Sequence, residues 1–256
     1  MILDRINGPK DLKTLSASER KELAQEIRQA MLKRASIHGG HFGPDFGIVE
    51  ATIALHTVFD SPKDKIVWDV SHQVYPHKIL TGRKQAYLEE EHYDDVSGYS
   101  NPAESEHDFF EVGHTSTSIS LASGLAMARD LQGGHENIIA VIGDGSMSGG
   151  EALEGLDTVG EMGTNMIIVL NDNQMSIAEV HGGMYKGFEE LRRTGGKSEH
   201  NLFRAMGLDY RFVADGNDSE ALIKVFREVK DIDHPVVVHI VTQKGKGYKF
   251  AEEDKE

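Results

Sequence analysis

The chain reads as an α/β protein, a doubly wound parallel sheet with helices on both faces. Three observations predict this. Residues 137–142 (NIIAVI) and 165–170 (NMIIVL) are continuous apolar runs rich in β-branched residues, as expected of central parallel strands covered on both sides. Residues 150–161, between them, have the length that a crossover helix needs. Strand and helix then alternate through the second half of the chain, and right-handed crossovers follow from that order.

The elements follow in order. Residues 16–37 form a long helix: Ser16 and Glu19 make a capping box, Leu23, Ile27 and Met31 recur at i+4, and Gly39-Gly40 ends it. After a glycine-rich loop, residues 48–59 form a helix that is apolar on several sides and therefore buried. Residues 65–70 (KIVWDV) are a strand, followed by SHQVYPHK as a loop or helix start. Residues 91–113 are polar and turn-rich and predict a loop, and 116–131 return to a helix rich in small residues. Beyond Asn173, a glycine-containing region to about residue 196 is a functional loop with some helix. Helix 198–206, strand 209–213, helix 218–230 and strand 235–242 complete the pattern, with no repeat or linker. All 256 residues are expected to form one domain.

Composition excludes several functions. Lys and Arg number 27 against 42 Asp and Glu, a net charge of -15, which argues against a nucleic-acid or anionic-membrane surface. The absence of cysteine removes disulfides, zinc-thiolate sites and thiol nucleophiles. The first residues carry charge early and lack an apolar signal region, and no apolar run approaches a membrane span, so the expectation is a soluble, cytoplasmic protein.

In an open parallel sheet, ligands bind beyond the carboxyl ends of the strands. Asp144 ends one strand, and Asn171, Asp172 and Asn173 end the next. Oxygen ligands from adjacent strand ends make part of a magnesium site, and a cation at Asp144 would bridge the carboxylate to a diphosphate. Gly145, Ser146 and the following helix N-terminus offer backbone donors to that anion. A dinucleotide loop is the alternative, since Gly143, Gly145 and Gly149 also follow a strand and Asp172 could hold a ribose. NAD, however, needs no metal, and Asp144 would face its pyrophosphate unshielded.

Four histidines fall in loops: His41, His72, His77 and His114. Singly, each suits a hydrogen-bonded structural role. Their shared setting at a sheet edge favours His41, His72 and His114, and His77 less, as groups for proton transfer and hydrogen bonding. Among residues 115–118 at least one side chain is expected to cap the helix that follows, and Thr115 could reach a phosphate. Residues 244–248 (KGKGY) are either a solvated basic turn or an anion-binding loop, and in so acidic a chain the second is favoured. Met175 and Ile177 have the character of core residues.

With these residues in place, the chain resembles the N-terminal domain of the 1-deoxy-D-xylulose-5-phosphate synthases, within the transketolase-like thiamine diphosphate enzymes. The resemblance runs almost end to end through GGHFGPDFGIVEATIALH, DKIVWDVSHQVYPHKILTGRK, GHTSTSISLASGLAMARDL, VIGDGSMSGGEALEGLD, VLNDNQMSIAE and VVVHIVTQKGKGY. Its most specific signal is GDG followed about thirty residues later by the asparagine ending NDN. The DVSHQVYPHKILTGR stretch separates the synthases from ordinary transketolases.

The resemblance implies the thiamine diphosphate-binding, transketolase-like fold, with Asp144, Asn173 and the Met175 carbonyl ligating Mg2+. It implies Gly145 and Ser146 at the diphosphate, His41, His72 and His114 lining the thiazolium side, and Thr115 and Lys244 near the cofactor. The implied reaction is a decarboxylating condensation of pyruvate with glyceraldehyde 3-phosphate, a sugar phosphate. The family's activating glutamate and the residues expected to grip the acceptor phosphate belong to its pyrimidine-binding domain. A pyrimidine-binding partner, on another chain or in a longer parent, is therefore expected, giving a homodimer or heterotetramer with no activity for this chain alone. A split transketolase subunit and a non-catalytic cofactor-binding module are the alternatives. Two departures stand out: Ser71 replaces the family's usual glycine before His72, and residues 176–201 are shorter than their family counterpart.

Overall fold

The computed structural model describes residues 1–175 and 180–253. Five strands, β1 (Lys65–Trp68), β2 (Ile138–Gly143), β3 (Met166–Asp172), β4 (Asp209–Val213) and β5 (Pro235–Val241), form one sheet in the order β1-β2-β3-β5-β4. Every neighbouring pair is parallel. The longer helices are α1 (Ala17–His38), α2 (Val49–Val58), α3 (Ser118–Leu131), α4 (Gly150–Met162), α5 (Gly183–Arg193) and α6 (Ser219–Val229).

Alternation along the strands divides the core in two. Ile139, Val141, Ile167, Val169, Val236 and Val238 pack with residues of α1, α2 and α6. Their neighbours Ile138, Ala140, Ile142, Ile168, Leu170 and Val237 pack with residues of α3, α4 and α5. Because successive strand side chains point to opposite faces, a continuous apolar run is what a strand covered on both sides requires. Each such side chain, taken out of water, contributes on the order of 1.5–3 kcal/mol.

Local signals set the helix ends. The Ser16 hydroxyl accepts from the Glu19 amide at 3.3 Å and the Glu19 carboxylate accepts from the Ser16 amide at 2.9 Å, which starts α1, and Gly39 with φ 80° stops it. Asp218 caps α6 by accepting from the amides of Glu220 and Ala221.

Several boundaries differ from those expected. β1 stops at Trp68 rather than residue 70, because Val70 and Ser71 turn to φ 57° and 59°. The helix expected from residue 116 begins at Ser118, after Ser116 at φ 74°. The helix expected over 198–206 shrinks to Leu202–Ala205, whose cap is the Asn201 side chain. Residues 91–113 are loop as expected, apart from a short turn at Glu90–His92. Ile177 and the first part of the shortened 176–201 segment lie outside the described residues.

Candidate functional site

The carboxyl ends of β1, β2, β3 and β5 bring the chemistry-bearing residues of the sequence to one edge. The register pairs Gly143 with Asn171, so Asp144 leaves β2 beside the end of β3. Asp144 is buried, and its Oδ2 has no hydrogen-bond partner. Burial, reinforced by the nearby Asp172 carboxylate, pushes its pKa up to about 7, although the backbone amides of Gly145 and Gln174 pull the other way. A buried carboxylate oxygen without a donor is costly, and a cation is the partner that would relieve it.

The NDN cluster splits into three jobs. Asn171 ties loops together: its Nδ2 donates to Gln73 Oε1 at 3.1 Å and its Oδ1 accepts from the Thr242 hydroxyl. Asp172 is fully buried and accepts from Arg192 and from His239 Nε2, the latter at 2.8 Å. Its burial opposes ionisation, but His239 and Arg192 together outweigh that and lower its pKa. Asn173 alone stays at the edge, where its Oδ1 accepts from the Met175 amide at 3.0 Å. That oxygen keeps a second lone pair for a metal. Met175 is itself buried, in keeping with its core character.

His41 and His72 meet edge to face with ring centroids 5.8 Å apart, and Tyr75 and Tyr99 flank His41. The Nδ1 atoms of both histidines are buried without a hydrogen-bond partner. Burial holds His72 down to about 4, helped by His41 and Lys244, and burial also lowers His41. Both rings are therefore neutral near neutral pH. Lys244 links this pair to Asp144: it acts on His72, while the Asp144 carboxylate counters the lowering of its own pKa by burial. The loop carrying it is clasped by the glycine-rich segment, where Gly245 N donates to Gly43 O and a side chain at Gly47 would meet Gln243 O at 2.9 Å.

The remaining expected site residues are placed differently. Gly145 and Ser146 turn into the short helix after β2, both half-buried. His114 and Thr115 are exposed, and His114 Nδ1 contacts the Thr115 carbonyl at 2.7 Å. Among the described residues no ring contact or hydrogen bond joins them to His41 or His72.

Sequence comparison identifies the family. The family profile for 1-deoxy-D-xylulose-5-phosphate synthase matches residues 3–198 and 194–242. This chain belongs to the 1-deoxy-D-xylulose-5-phosphate synthase family.

Synthase relatives include that of Halalkalibacterium halodurans, 41% identical across 99% of this chain, and that of Geobacillus thermodenitrificans, 42% identical across all of it. The chain spans 46% of the length of each. A transketolase from Leishmania mexicana superposes with a TM-score of 0.69 over 89% of this chain and 37% of its own, at 18% identity, a likeness of fold. The Campylobacter jejuni transketolase behaves alike, with a TM-score of 0.69 and 18% identity.

The stretch after β1 turns sharply and then enters the core. Ser71 adopts φ 59°, a conformation that favours glycine. Its hydroxyl compensates by donating to Val112 O at 2.5 Å and accepting from Ser100 N at 3.0 Å. His77 belongs to a separate, buried network: Nδ1 faces His56 Nε2 at 2.9 Å and Nε2 faces Asp108 at 3.0 Å, while Arg83 bonds Asp108 and Lys78 bonds Glu104.

Sequence reasoning missed Asp69. This acid follows β1 as Asp144 follows β2, and the strand-end rule applied to KIVWDV would have flagged it. It caps α3 from outside, accepting from the Ser116 and Ser118 amides at 3.0 Å each. The expectation that a side chain of 115–118 caps this helix is corrected: Thr117 at the cap makes no such bond, and its hydroxyl donates instead to the His114 carbonyl.

Proposed function

We propose that this chain is the Mg2+ and thiamine diphosphate-binding module of a 1-deoxy-D-xylulose-5-phosphate synthase-like enzyme. It works with a pyrimidine-binding domain, on a second chain or in a longer parent, in the decarboxylating condensation of pyruvate with glyceraldehyde 3-phosphate. The observation that carries the reading is the buried, unpartnered Asp144 Oδ2 beside Asn173 at the end of adjacent strands. A divalent cation there would be held by that oxygen, the Asn173 side-chain oxygen and the Met175 carbonyl, and would draw a diphosphate to the carboxylate. Gly145 and Ser146 face the diphosphate, and Lys244 adds positive charge on the histidine side.

Bound thiamine diphosphate supplies the carbon nucleophile that adds to a ketone carbonyl and stabilises charge as carbon dioxide leaves. This chain's share is binding and orientation. His41 and His72, neutral and with buried Nδ1 atoms, hydrogen-bond a substrate oxygen or hold a proton there. His114 and Thr115 are exposed, which suits residues that a partner covers. Membership of the family supports the assignment, and the 46% share of the relatives' length supports a missing partner domain.

Calorimetric titration tests the site. Thiamine diphosphate binds only with Mg2+, and Asp144→Ala abolishes that binding; metal-independent binding, or binding of NAD in its place, overturns the reading. Carbon dioxide release from pyruvate on adding a candidate partner chain tests the reaction.

A further inference from the structure

The diphosphate turn after β2 is held from a different strand. Asp69, 1% exposed at the end of β1, spends each carboxylate oxygen on one backbone amide, Oδ2 on Ser116 and Oδ1 on Ser118. Those two bonds hold Ser116 in the left-handed region at φ 74°, where a serine is strained. So held, the Ser116 hydroxyl donates to the backbone carbonyl of Ser146 at 2.7 Å. Gly149 closes the contact, because a Cβ there would stand 1.9 Å from Ser116 Oγ and 2.6 Å from its Cβ. The last glycine of GDGSMSG is thus required by Ser116, a residue about thirty positions upstream, and not by its own backbone, whose φ is -72°.

We propose that Asp69 and Ser116 are positioning residues for diphosphate binding: the carboxylate at the end of β1 fixes Ser116, and the Ser116 hydroxyl fixes the Gly145–Ser146 turn beside Asp144. The inference rests on the reading of Gly145 and Ser146 as the diphosphate cradle. Strain at Ser116 is the physical argument for it. Of the first amides of helix α3, Asp69 takes only that of Ser118, and that bond requires no left-handed serine two residues earlier. Beyond the amide bond to Asp69, the conformation gains the hydroxyl's reach to Ser146 and the close approach at Gly149.

The test uses the chain as it stands, titrated by calorimetry with thiamine diphosphate and, separately, inorganic pyrophosphate, both with Mg2+, alongside thermal unfolding without ligand. Ser116→Gly keeps the backbone conformation and removes the hydroxyl. It is expected to weaken both diphosphate ligands about tenfold while the ligand-free unfolding temperature holds. Asp69→Asn, which leaves one amide without an acceptor, weakens them at least as much. Gly149→Ala added to Ser116→Gly, where the clashing side chain is gone, costs less affinity than Gly149→Ala alone. Wild-type affinity in Ser116→Gly, or additive losses in the double variant, overturns the positioning role and leaves the cradle assignment intact. A wild-type chain that binds neither ligand overturns the cradle assignment and the positioning role together. Should Asp69→Asn fail to fold, Ser116→Gly and the Gly149 pair decide the matter alone.

Discussion

Asp172 Oδ2 lies 2.8 Å from His239 Nε2, both side chains fully buried, one at the end of β3 and the other within β5. The other ring nitrogen of His239 meets the Tyr210 hydroxyl at 2.7 Å, and Arg192 brings a second donor to the same carboxylate. This ties the end of β3 to β5 and to Arg192, so the middle residue of NDN is structural.

Truncating that carboxylate strands two donors in a dry interior. Asp172→Ala is expected to destabilise the chain by about 3–5 kcal/mol, the cost of breaking a buried charge pair. Urea unfolding measures it, and a loss under about 1 kcal/mol would show that the network carries no more than a surface pair.

The buried network around His77 behaves similarly. Lys78 is fully buried, and burial lowers its pKa against the pull of Glu104, whose carboxylate lies 2.6 Å away. Glu104→Ala leaves that ammonium partly unpaired and should cost about 3 kcal/mol. Lys78→Met combined with Glu104→Leu recovers most of it, since replacing both partners with apolar groups removes the desolvation term. A double variant as unstable as the single one would contradict this account.

Ser71 separates strain from bonding. Ser71→Gly relieves the left-handed backbone, worth about 1 kcal/mol, but loses two hydrogen bonds of about 1 kcal/mol each, so its net loss is about 1 kcal/mol. Ser71→Ala loses the bonds without the relief and should be destabilised by about 2 kcal/mol. Chemical denaturation of the pair would rank them, and the reverse order would refute the compensation.

His72 gives the chain an acid sensitivity. Its folded pKa, about 4, lies below the ordinary histidine value of 6.5, so the unfolded state binds more protons between the two. Its contribution to stability is therefore fully present above about 6.5 and is lost as pH falls toward about 4. His72→Asn removes this share, and the pH slope of unfolding free energy in that window becomes shallower. The buried His56 and His77 and the half-buried His107 are lowered too and keep the remaining slope. An unchanged slope in His72→Asn would refute the assignment.

Much of the site was legible in the sequence because its signals are local. Asp144 follows an apolar strand, Asn173 ends the next, and the strand-end rule brings such residues together whatever the details. His41 and His72 were singled out by their loop setting, and the fold placed their rings in contact. His114 and Thr115 carried the same local signal, yet they are exposed, while the neighbouring Ser116 is buried and bonds Ser146. Asp69 was overlooked because its partners, the amides of Ser116 and Ser118, lie 47 and 49 residues away and leave no periodic trace.

By itself, the sequence determined the fold class, the order of strands and helices, the helix caps at Ser16 and Gly39, and the family. These follow from periodicity and from contacts within a few residues, which a linear pattern records. Only the tertiary structure decided that Asp172 serves His239 and Arg192, that His77 sits in a buried charge network, that Ser71 bridges Val112 and Ser100, and that Asp69 accepts from the amides of Ser116 and Ser118. Each is a hydrogen bond between segments far apart in the chain, and its formation depends on where packing puts the strand ends.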